Sequence, residues 1–228
     1  MFQRWHDLLF AHWPVDAEAL RSRLPGELEL DLHAGRAWLG IVPFRMSAVR
    51  LRGMPPLPHF SAFPEVNVRT YVRAGAHRGV WFFSLDAANR LAVRAARRCV
   101  HLPYFDARIE CRERAGAIEY RAKRFGSGPR PAEFAATYRP FGPALAQEPG
   151  SFAEFATARY CLFTTGSKGE LLRLDIHHPA WQLQACAADI ERASLASAAG
   201  FQLPHEPPIL HFARRMDVLF WRPQSTVP

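Results

Sequence analysis

Lysine is scarce in this chain, although the chain is strongly basic. Lysine and arginine together number 29 against 21 aspartate and glutamate residues, so the formal net charge is +8. Only Lys123 and Lys168 are lysines, and the other 27 cations are arginines. The arginines are scattered among acidic residues and no nucleic-acid-binding module is recognisable. We therefore expect no specific nucleic-acid partner, and an arginine-driven binder of nucleic acid or another anionic surface is the least favoured alternative.

Long apolar runs are also missing, as are paired cysteines. No stretch approaches the ~20 apolar residues that cross a membrane, and Leu8–Ala11 is too short for a secretory signal. The four cysteines have no C-x-x-C spacing: Cys99, Cys111, Cys161 and Cys186. This argues against a zinc site or a disulfide framework and favours free buried thiols in a reducing compartment. We expect a cytoplasmic protein with no membrane partner, no metal and no cofactor.

Common catalytic motifs are absent too. The sequence contains no G-x-S-x-G, G-x-x-x-x-G-K-[ST], G-x-G-x-x-G or H-E-x-x-H, so phosphate-cradling and serine-hydrolase functions lose their usual support. Hydrophobic residues make up 49% and charged residues 22% of the chain, as in globular proteins. The length suits one large domain or two small ones, and because no segment has the composition of a linker we expect a single domain over residues 1–228.

Strand patterns dominate what is present. Alternating or β-branched segments bounded by Gly and Pro predict seven strands: Arg36–Arg45, Val66–Arg73, Val80–Leu85, Arg108–Arg114, Ile118–Phe125, Leu171–Ile176 and Leu210–Trp221. Gly126–Pro131 is expected to be a loop. The prediction is an α+β, mostly β fold.

Three short helices are predicted from capping signals. Ala17–Leu24 follows Asp16, Ala87–Cys99 follows Asp86, and Ser151–Ala158 begins with a serine cap. In the second helix an apolar stripe is expected to face the core, and it includes Ala88, Leu91, Ala92, Ala95, Ala96 and Cys99.

A polar column on one predicted strand is the first candidate site. Strand alternation places Glu65, Asn67, Arg69 and Tyr71 on one face, opposite Val66 and its apolar neighbours. One interpretation is a solvated strand face with a Glu–Arg pair. The other is a polar pocket, because the next strand, Val80–Leu85, is bulky on both faces and predicts a central position.

Two further segments carry histidine. His101 and Tyr104 lie in the connection after the second helix, where a histidine can serve as acid or base and a tyrosine can donate to an oxyanion. The alternative is a purely structural role. His177 and His178 are adjacent on an extended chain and point to opposite sides, which disfavours joint metal chelation; Trp181 is expected in the core.

Taken together, several segments resemble the YqjF-like family of uncharacterised bacterial proteins, which lies within the acetoacetate-decarboxylase-like superfamily. They are Trp5–Val15, Leu24–Gly26, Ala37–Phe44, Phe63–Val72, Gly79–Asp86 and His101–Tyr104. The resemblance extends from about Arg4 to Trp221 and implies a barrel-like antiparallel or mixed sheet that encloses a small-molecule cavity. It implies no known reaction.

The superfamily's decarboxylase uses a pair of lysines, one of which forms a Schiff base with a keto acid. By the resemblance, this pair falls at Val100 and His101, an essential arginine falls near His6, and an active-site glutamate corresponds to Glu65. The lysines are therefore missing, and Lys123 and Lys168 belong to other segments. Schiff-base decarboxylation is not expected.

The resulting hypothesis is a pocket protein that binds or converts a small anionic organic acid. The expected catalytic residues are Glu65, His101 and Tyr104, and the expected substrate-binding residues are His6, Asn67 and Arg69, with Arg69 as the carboxylate clamp. If there is a reaction, it is a lyase-like or acid–base one. A non-catalytic sensor with the same cavity is the alternative. A homo-oligomer is compatible with either.

Overall fold

The fold is built mainly from strands. The computed structural model describes residues 1–57, 60–126 and 132–226, so all but Gly126 of the loop expected at Gly126–Pro131 lies outside them. The strands are β1 Phe2–Val15, β2 Glu29–Leu30, β3 Ala37–Arg50, β4 Phe63–Ala74, β5 His77–Ala87, β6 Tyr104–Arg114, β7 Ala117–Arg124, β8 Glu133–Ala146, β9 Cys161–Thr165, β10 Leu171–His177, β11 Gln182–Ala193, β12 Ile209–Phe220 and β13 Gln224–Ser225. Four short helices accompany them: α1 Ala17–Arg21, α2 Arg90–Val100, α3 Phe152–Thr157 and α4 Ser194–Ala198.

The strands form one mixed sheet that closes on itself. Its order is β13-β10-β9-β5-β6-β7-β8-β11-β12-β1-β3-β4-β2, with additional β4–β5 and β10–β12 pairings. The pairs β5–β6 and β5–β9 are parallel, and the other pairs are antiparallel. One ring of paired strands runs through β6, β7, β8 and β11, and a second runs through β9 and β10. Both rings share β12, β1, β3, β4 and β5, so the sheet is barrel-like without being a clean barrel.

Side-chain alternation on the shared strands fills two separate interiors. In β1, Leu9 and Ala11 join the core of the first ring, which includes Phe134 and Tyr138. The residues that alternate with them, such as Phe10, point into the second ring. Helix α3 contributes Phe152 and Phe155 to this second interior. The polar column of β4 also faces the second interior.

Two of the predicted helices begin where expected. Asp16 caps α1 by accepting from the Ala19 amide at 2.7 Å, and Ser151 caps α3 by accepting from the Glu154 amide at 3.2 Å. The seven predicted strands are all present. Five of them are longer than predicted, and the other two, β7 and β12, are shifted by one residue at the same length. The sequence did not predict the long strands β1, β8 and β11.

The second helix corrects the prediction in its start and its orientation. Strand β5 continues to Ala87, and Asn89, not Asp86, caps α2 by accepting from the Leu91 and Ala92 amides. Val93 is the buried residue of α2, whereas Leu91 and Cys99 are exposed. The expectation of a core position for Cys99 is therefore wrong, because the helix packs through its Val93 side. Cys161 and Cys186 are buried as expected, and Cys111 is partly buried.

Candidate functional site

The polar column of β4 lies inside the protein. Strand β4 pairs with β3 on one side and β5 on the other, so neither edge reaches solvent. Glu65 is 2% exposed, Asn67 4% and Tyr71 0%, and Arg69 is partly buried. The interpretation as a solvated strand face is therefore wrong, and Glu65 and Arg69 form no ion pair among the described residues. Buried polar groups of this kind need partners, which the facing strands supply only in part.

Arg69 binds neutral groups instead of a carboxylate. One terminal nitrogen donates to the Ala156 carbonyl of α3 at 3.1 Å and to the Tyr71 hydroxyl at 3.4 Å. Its guanidinium also lies 5.5 Å from the Phe10 ring centroid. The Nε atom is buried and has no hydrogen-bond partner among the described residues. A cation thus points into the second interior with a donor still free.

His12 lies next to this arginine and was not predicted as a site residue. It is fully buried, and its Nε2 is 2.5 Å from the Tyr71 hydroxyl. Burial, followed by the charge of Arg69, holds the pKa of His12 well below its usual range, so the ring is neutral. Because Arg69 can only donate, Tyr71 accepts from it and gives its own proton to His12 Nε2. The remaining proton of the imidazole then lies on Nδ1, which has no partner among the described residues.

A glycine makes room for this pair of side chains. Gly40 of β3 is directly opposite His12 on β1 and Arg69 on β4. A Cβ atom at Gly40 would lie 3.0 Å from two atoms of the His12 ring and 3.5 Å from Arg69 Cγ. The absence of a side chain at Gly40 therefore allows the imidazole and the arginine stem to pack over the strand.

Glu65 and Tyr104 form the other end of the column. Burial raises the pKa of Glu65 to about 8, while hydrogen bonding from Tyr104 and Asn67 partly opposes this rise. The carboxyl is thus mainly protonated at neutral pH, and its Oε2 has no partner among the described residues. Part of Tyr104 reaches the surface, but burial around its hydroxyl raises the pKa of the phenol well above its usual range. The structure therefore brings Glu65, Asn67 and Tyr104 together.

Aromatic side chains enclose the column. Phe152 of α3 lies 5.3 Å from His12 and 4.4 Å from Trp38, measured between ring centroids. Phe155 lies 4.8 Å from Tyr71. His211 of β12 stacks on Phe152, and burial lowers the pKa of its ring. Its Nδ1 has no hydrogen-bond partner in the described part of the chain. Helix α3 therefore covers the end of the column that contains Arg69.

His101 lies in a different place from the column. It ends α2 with a left-handed backbone (φ 53°) and its carbonyl accepts from Thr164 Oγ1 at 2.7 Å. His101 lines a surface cleft of about 260 Å³. The cleft lies where the pairing partner of β5 changes from β9 to β6. Phe82 lines the same cleft and is the strand partner of Arg69. The cleft thus reaches the strand that borders the column, but no hydrogen bond, ion pair or ring contact joins His101 to Glu65 in the described part of the chain.

His6 is on the far side of β1. Its neighbour Trp5 packs in the second interior, so His6 points to the opposite face, where Nε2 is 2.8 Å from Ser47 Oγ. A bulge at Asp7 (φ 53°) breaks the β1–β3 register there. Burial and the charge of Arg45 lower the pKa of His6. The structure does not bring His6 to the column; His12, six residues later, occupies it instead.

The adjacent histidines separate as alternation predicted. His177 is exposed and His178 is buried, where its two ring nitrogens face the carbonyls of Pro179 and Arg159. Trp181 is in the core and donates to the Thr157 carbonyl at 2.9 Å. The described residues contain no cluster of three or more His, Cys, Asp or Glu side chains that could hold a metal ion.

Comparison with known proteins places the chain in a family. The model of an uncharacterized conserved protein family, DUF2071, matches residues 2–217. The chain belongs to this family. It is 44% identical over 221 residues to the uncharacterized protein YqjF of Bacillus subtilis (strain 168), covering 97% of this chain and 90% of that protein. The DUF2071 family has no activity in its description, so the relationship by itself assigns none.

Solved structures extend the similarity of this DUF2071 protein to a fold. Acetoacetate decarboxylase from Legionella pneumophila superposes with a TM-score of 0.67 at 14% identity, covering 99% of this chain and 87% of that one. The enduracididine biosynthesis enzyme MppR complexed with pyruvate gives a TM-score of 0.67 at 11% identity, covering 98% and 89%. The acetoacetate-decarboxylase-like fold expected from the sequence is confirmed.

The two lysines of this DUF2071 protein are on its surface. Lys123 pairs with Glu133 at 3.1 Å on β7 and is 73% exposed in its side chain. Lys168 is in the turn before β10, where its backbone amide donates to Glu170. Neither is in contact with the polar column. Among the described residues, no helix is both long enough and apolar enough to traverse a bilayer.

Proposed function

We propose that the second interior binds a small organic acid, with Arg69 as the residue that holds its carboxylate. The carrying observation is the set of unpartnered polar atoms on one face of the shared strands. Within the described ranges Arg69 Nε and His12 Nδ1 are donors without acceptors, and Glu65 Oε2 and Asn67 Oδ1, which also have no partner there, lie farther along the column. Because nearly all buried polar groups in proteins are hydrogen-bonded, such a set favours a polar ligand or ordered water.

The chemistry of the two ends favours a particular kind of acid. The free donors at Arg69 and His12 suit a carboxylate, which only accepts. The protonated Glu65 carboxyl and the Asn67 amide suit a hydroxyl or carbonyl oxygen. Arg69 is four positions after Glu65, roughly 13 Å along the strand, so a three-carbon acid would contact mainly the Arg69 end. A hydroxy or keto acid with a longer chain would reach Glu65.

We assign acid–base catalysis to Glu65 and Tyr104. At neutral pH Glu65 holds a proton that it can donate to a ligand oxygen and recover afterwards. Hydrogen bonding from Tyr104 partly opposes the rise that burial causes in the pKa of Glu65, and the same interaction would orient the carboxyl. His101 contributes through its cleft beside Phe82, which would serve as the route of entry. No Schiff base is involved, because neither lysine is near the column. The complex of MppR with pyruvate, a small keto acid, supports this ligand class.

A thermal-shift screen tests the binding. Straight-chain keto and hydroxy acids of three to eight carbons would be compared at concentrations up to 100-fold above their Kd. A ligand at that excess stabilises by about 2.7 kcal/mol, or roughly 5–10 °C for a protein of this size. We expect Arg69→Met to abolish the shift. Arg73→Met is the matched control, since Arg73 is on the same strand but pairs with Glu29 at the surface. An equal shift in Arg69→Met would contradict the proposal.

A non-catalytic sensor is the second candidate, and the cover provided by α3 favours it. The aromatic rings of Phe152 and Phe155 close the Arg69 end, and a closed site suits retention of a ligand more than turnover. Incubating the best ligand with the wild-type protein and with Glu65→Gln separates the two. Product formed by the wild type alone supports the enzyme, whereas equal binding by both proteins without product supports the sensor.

A further inference from the structure

Two segments without carboxylates are in contact with each other. Residues 32–64 and 87–105 contain no aspartate or glutamate. The first includes the loop between β3 and β4, and the second contains α2. The fold joins them because Asn89 Nδ2 donates to the Phe60 carbonyl at 3.2 Å and the Ala88 amide donates to the Pro64 carbonyl at 3.2 Å. The loop and helix α2 therefore bring arginines, and no carboxylate of their own, to one region from two distant parts of the sequence.

The arginines of α2 have no acidic partners in the part of the chain that the structure describes. Arg90, Arg94, Arg97 and Arg98 are all exposed. No carboxylate of the described residues lies within ion-pair distance of any of them, although other exposed arginines, such as Arg121 with Glu191, are paired. Arg97 instead donates to the Tyr104 carbonyl, and Arg90 lies over the Phe125 ring. The positive charge of this helix is thus uncompensated.

Apolar side chains project from the same region. In the loop, Leu51 is 63%, Met54 53%, Leu57 60% and Phe60 47% exposed. On α2, Leu91 is 54% exposed, and exposed Ala95 and Cys99 follow it at four-residue spacing. Leucine and methionine side chains this exposed and this numerous on adjacent segments are typical of a contact surface.

We propose that Leu51, Met54, Leu57 and Phe60, together with helix α2, form a docking surface for an anionic lipid bilayer. A second copy of the chain is a poor occupant, because each copy carries a net charge of +8. A nucleic acid would use the arginines and the phenylalanines but has no use for exposed Leu51, Met54, Leu57 and Leu91, which lack a ring to stack on a base. Acyl chains beneath anionic headgroups match both features. This contact at the surface departs from the sequence-based expectation of no membrane partner.

Co-sedimentation with sucrose-loaded vesicles tests the proposal on the full chain. We expect binding to 1:1 phosphatidylcholine–phosphatidylglycerol vesicles at 100 mM NaCl and little binding to pure phosphatidylcholine. Arg94→Gln with Arg98→Gln should lower the partition coefficient about 25-fold, since each arginine near such a surface contributes about fivefold. Leu57→Ser with Leu91→Ser should lower it at least roughly tenfold through lost apolar burial. Thermal unfolding confirms that each variant is folded.

A matched control separates a docking surface from net charge. Arg108→Gln with Arg112→Gln removes the same charge from β6, where both arginines are exposed and flank Glu110. We expect it to bind nearly as well as the wild type. The proposal is overturned if the wild type does not bind the anionic vesicles, if the control pair weakens binding as much as the α2 pair, or if the leucine pair has no effect. Preferential binding of a single-stranded 20-mer oligonucleotide that displaces the vesicles would also overturn it.

Discussion

The buried Glu65 carboxyl predicts an unusual pH dependence of stability. Its pKa is about 8 in the folded protein and 4.5 as the ordinary value. Below pH 4.5 it is protonated in both states. Between 4.5 and about 8, the folded protein keeps a proton that the unfolded chain has released, so the free energy of unfolding falls as pH rises. The whole decline amounts to about 5 kcal/mol, at 1.36 kcal/mol per pH unit.

The range from pH 7 to 8 isolates this effect. The buried histidines His12, His178 and His211 have lowered pKa values, so they act with the opposite sign and only below about pH 7. With a folded pKa of about 8 for Glu65, the free energy of unfolding should fall by about 1 kcal/mol between pH 7 and 8. For a urea m-value of about 2–2.5 kcal/mol/M, the midpoint falls by roughly 0.4–0.5 M.

Urea unfolding of the wild type and Glu65→Gln, measured in parallel, gives the test. Glutamine has the same shape but does not titrate, so the wild-type decline should be missing from the variant. Contributions from other groups, such as the amino terminus, are common to both proteins and cancel in the difference. Glu27→Gln is the control, since Glu27 is exposed and forms no ion pair among the described residues. If the difference between wild type and Glu65→Gln stays constant within about 0.3 kcal/mol, the assignment of a neutral buried Glu65 is refuted.

Three further predictions concern packing and buried charge. Gly40→Ala should lower the free energy of unfolding by about 1–3 kcal/mol and weaken ligand binding, because the new methyl group lies 3.0 Å from the His12 ring. In the same melting assay Gly26→Ala, where nothing lies within 4 Å of the new methyl group, should change neither stability nor ligand binding. Arg124→Met should cost about 3–5 kcal/mol by leaving Asp86, 1% exposed, without its partner, and adding Asp86→Asn should restore more than half of that in urea titrations. Gly79→Ala places a Cβ 2.7 Å from a β9 carbonyl, so it should lower the melting temperature by more than roughly 4 °C; an unchanged value would argue against the tight β5–β9 contact.

Local patterns predicted much of the fold because they reflect local causes. The β4 column followed from alternation, and the caps of α1 and α3 followed from Asp16 and Ser151. The decision between a solvated and a buried column depended on the neighbouring strands. The column is buried because the bulky apolar strand β5 pairs with β4. The alternation of side chains in β4 does not by itself predict this pairing.

The misses depend on partners distant in sequence. Strand β1 was not predicted. It tolerates Pro14 because Pro14 lies beyond His12, the last residue paired with β12. Asp86 resembled a helix cap, but its carboxylate binds Arg124, 38 residues later. His12 belongs with Arg69 only because β3 places Gly40 between them, and no local signal gives that register. The extent of the domain over residues 1–228 stays a prediction.

In the five strands shared by the two rings, the two faces of a single strand have different roles. On β4, Val66 and Val68 support the first core, and Glu65, Asn67 and Arg69 face the second interior. Every second residue therefore contributes to the stability of the first core, and the residues between them provide the polar groups of the second interior. Substitutions on one face leave the packing of the other intact, so a lineage can exchange the polar residues for a new ligand while keeping its scaffold. A one-residue slip in register would exchange the contents of both interiors at once, which makes insertions in these strands far more damaging than substitutions.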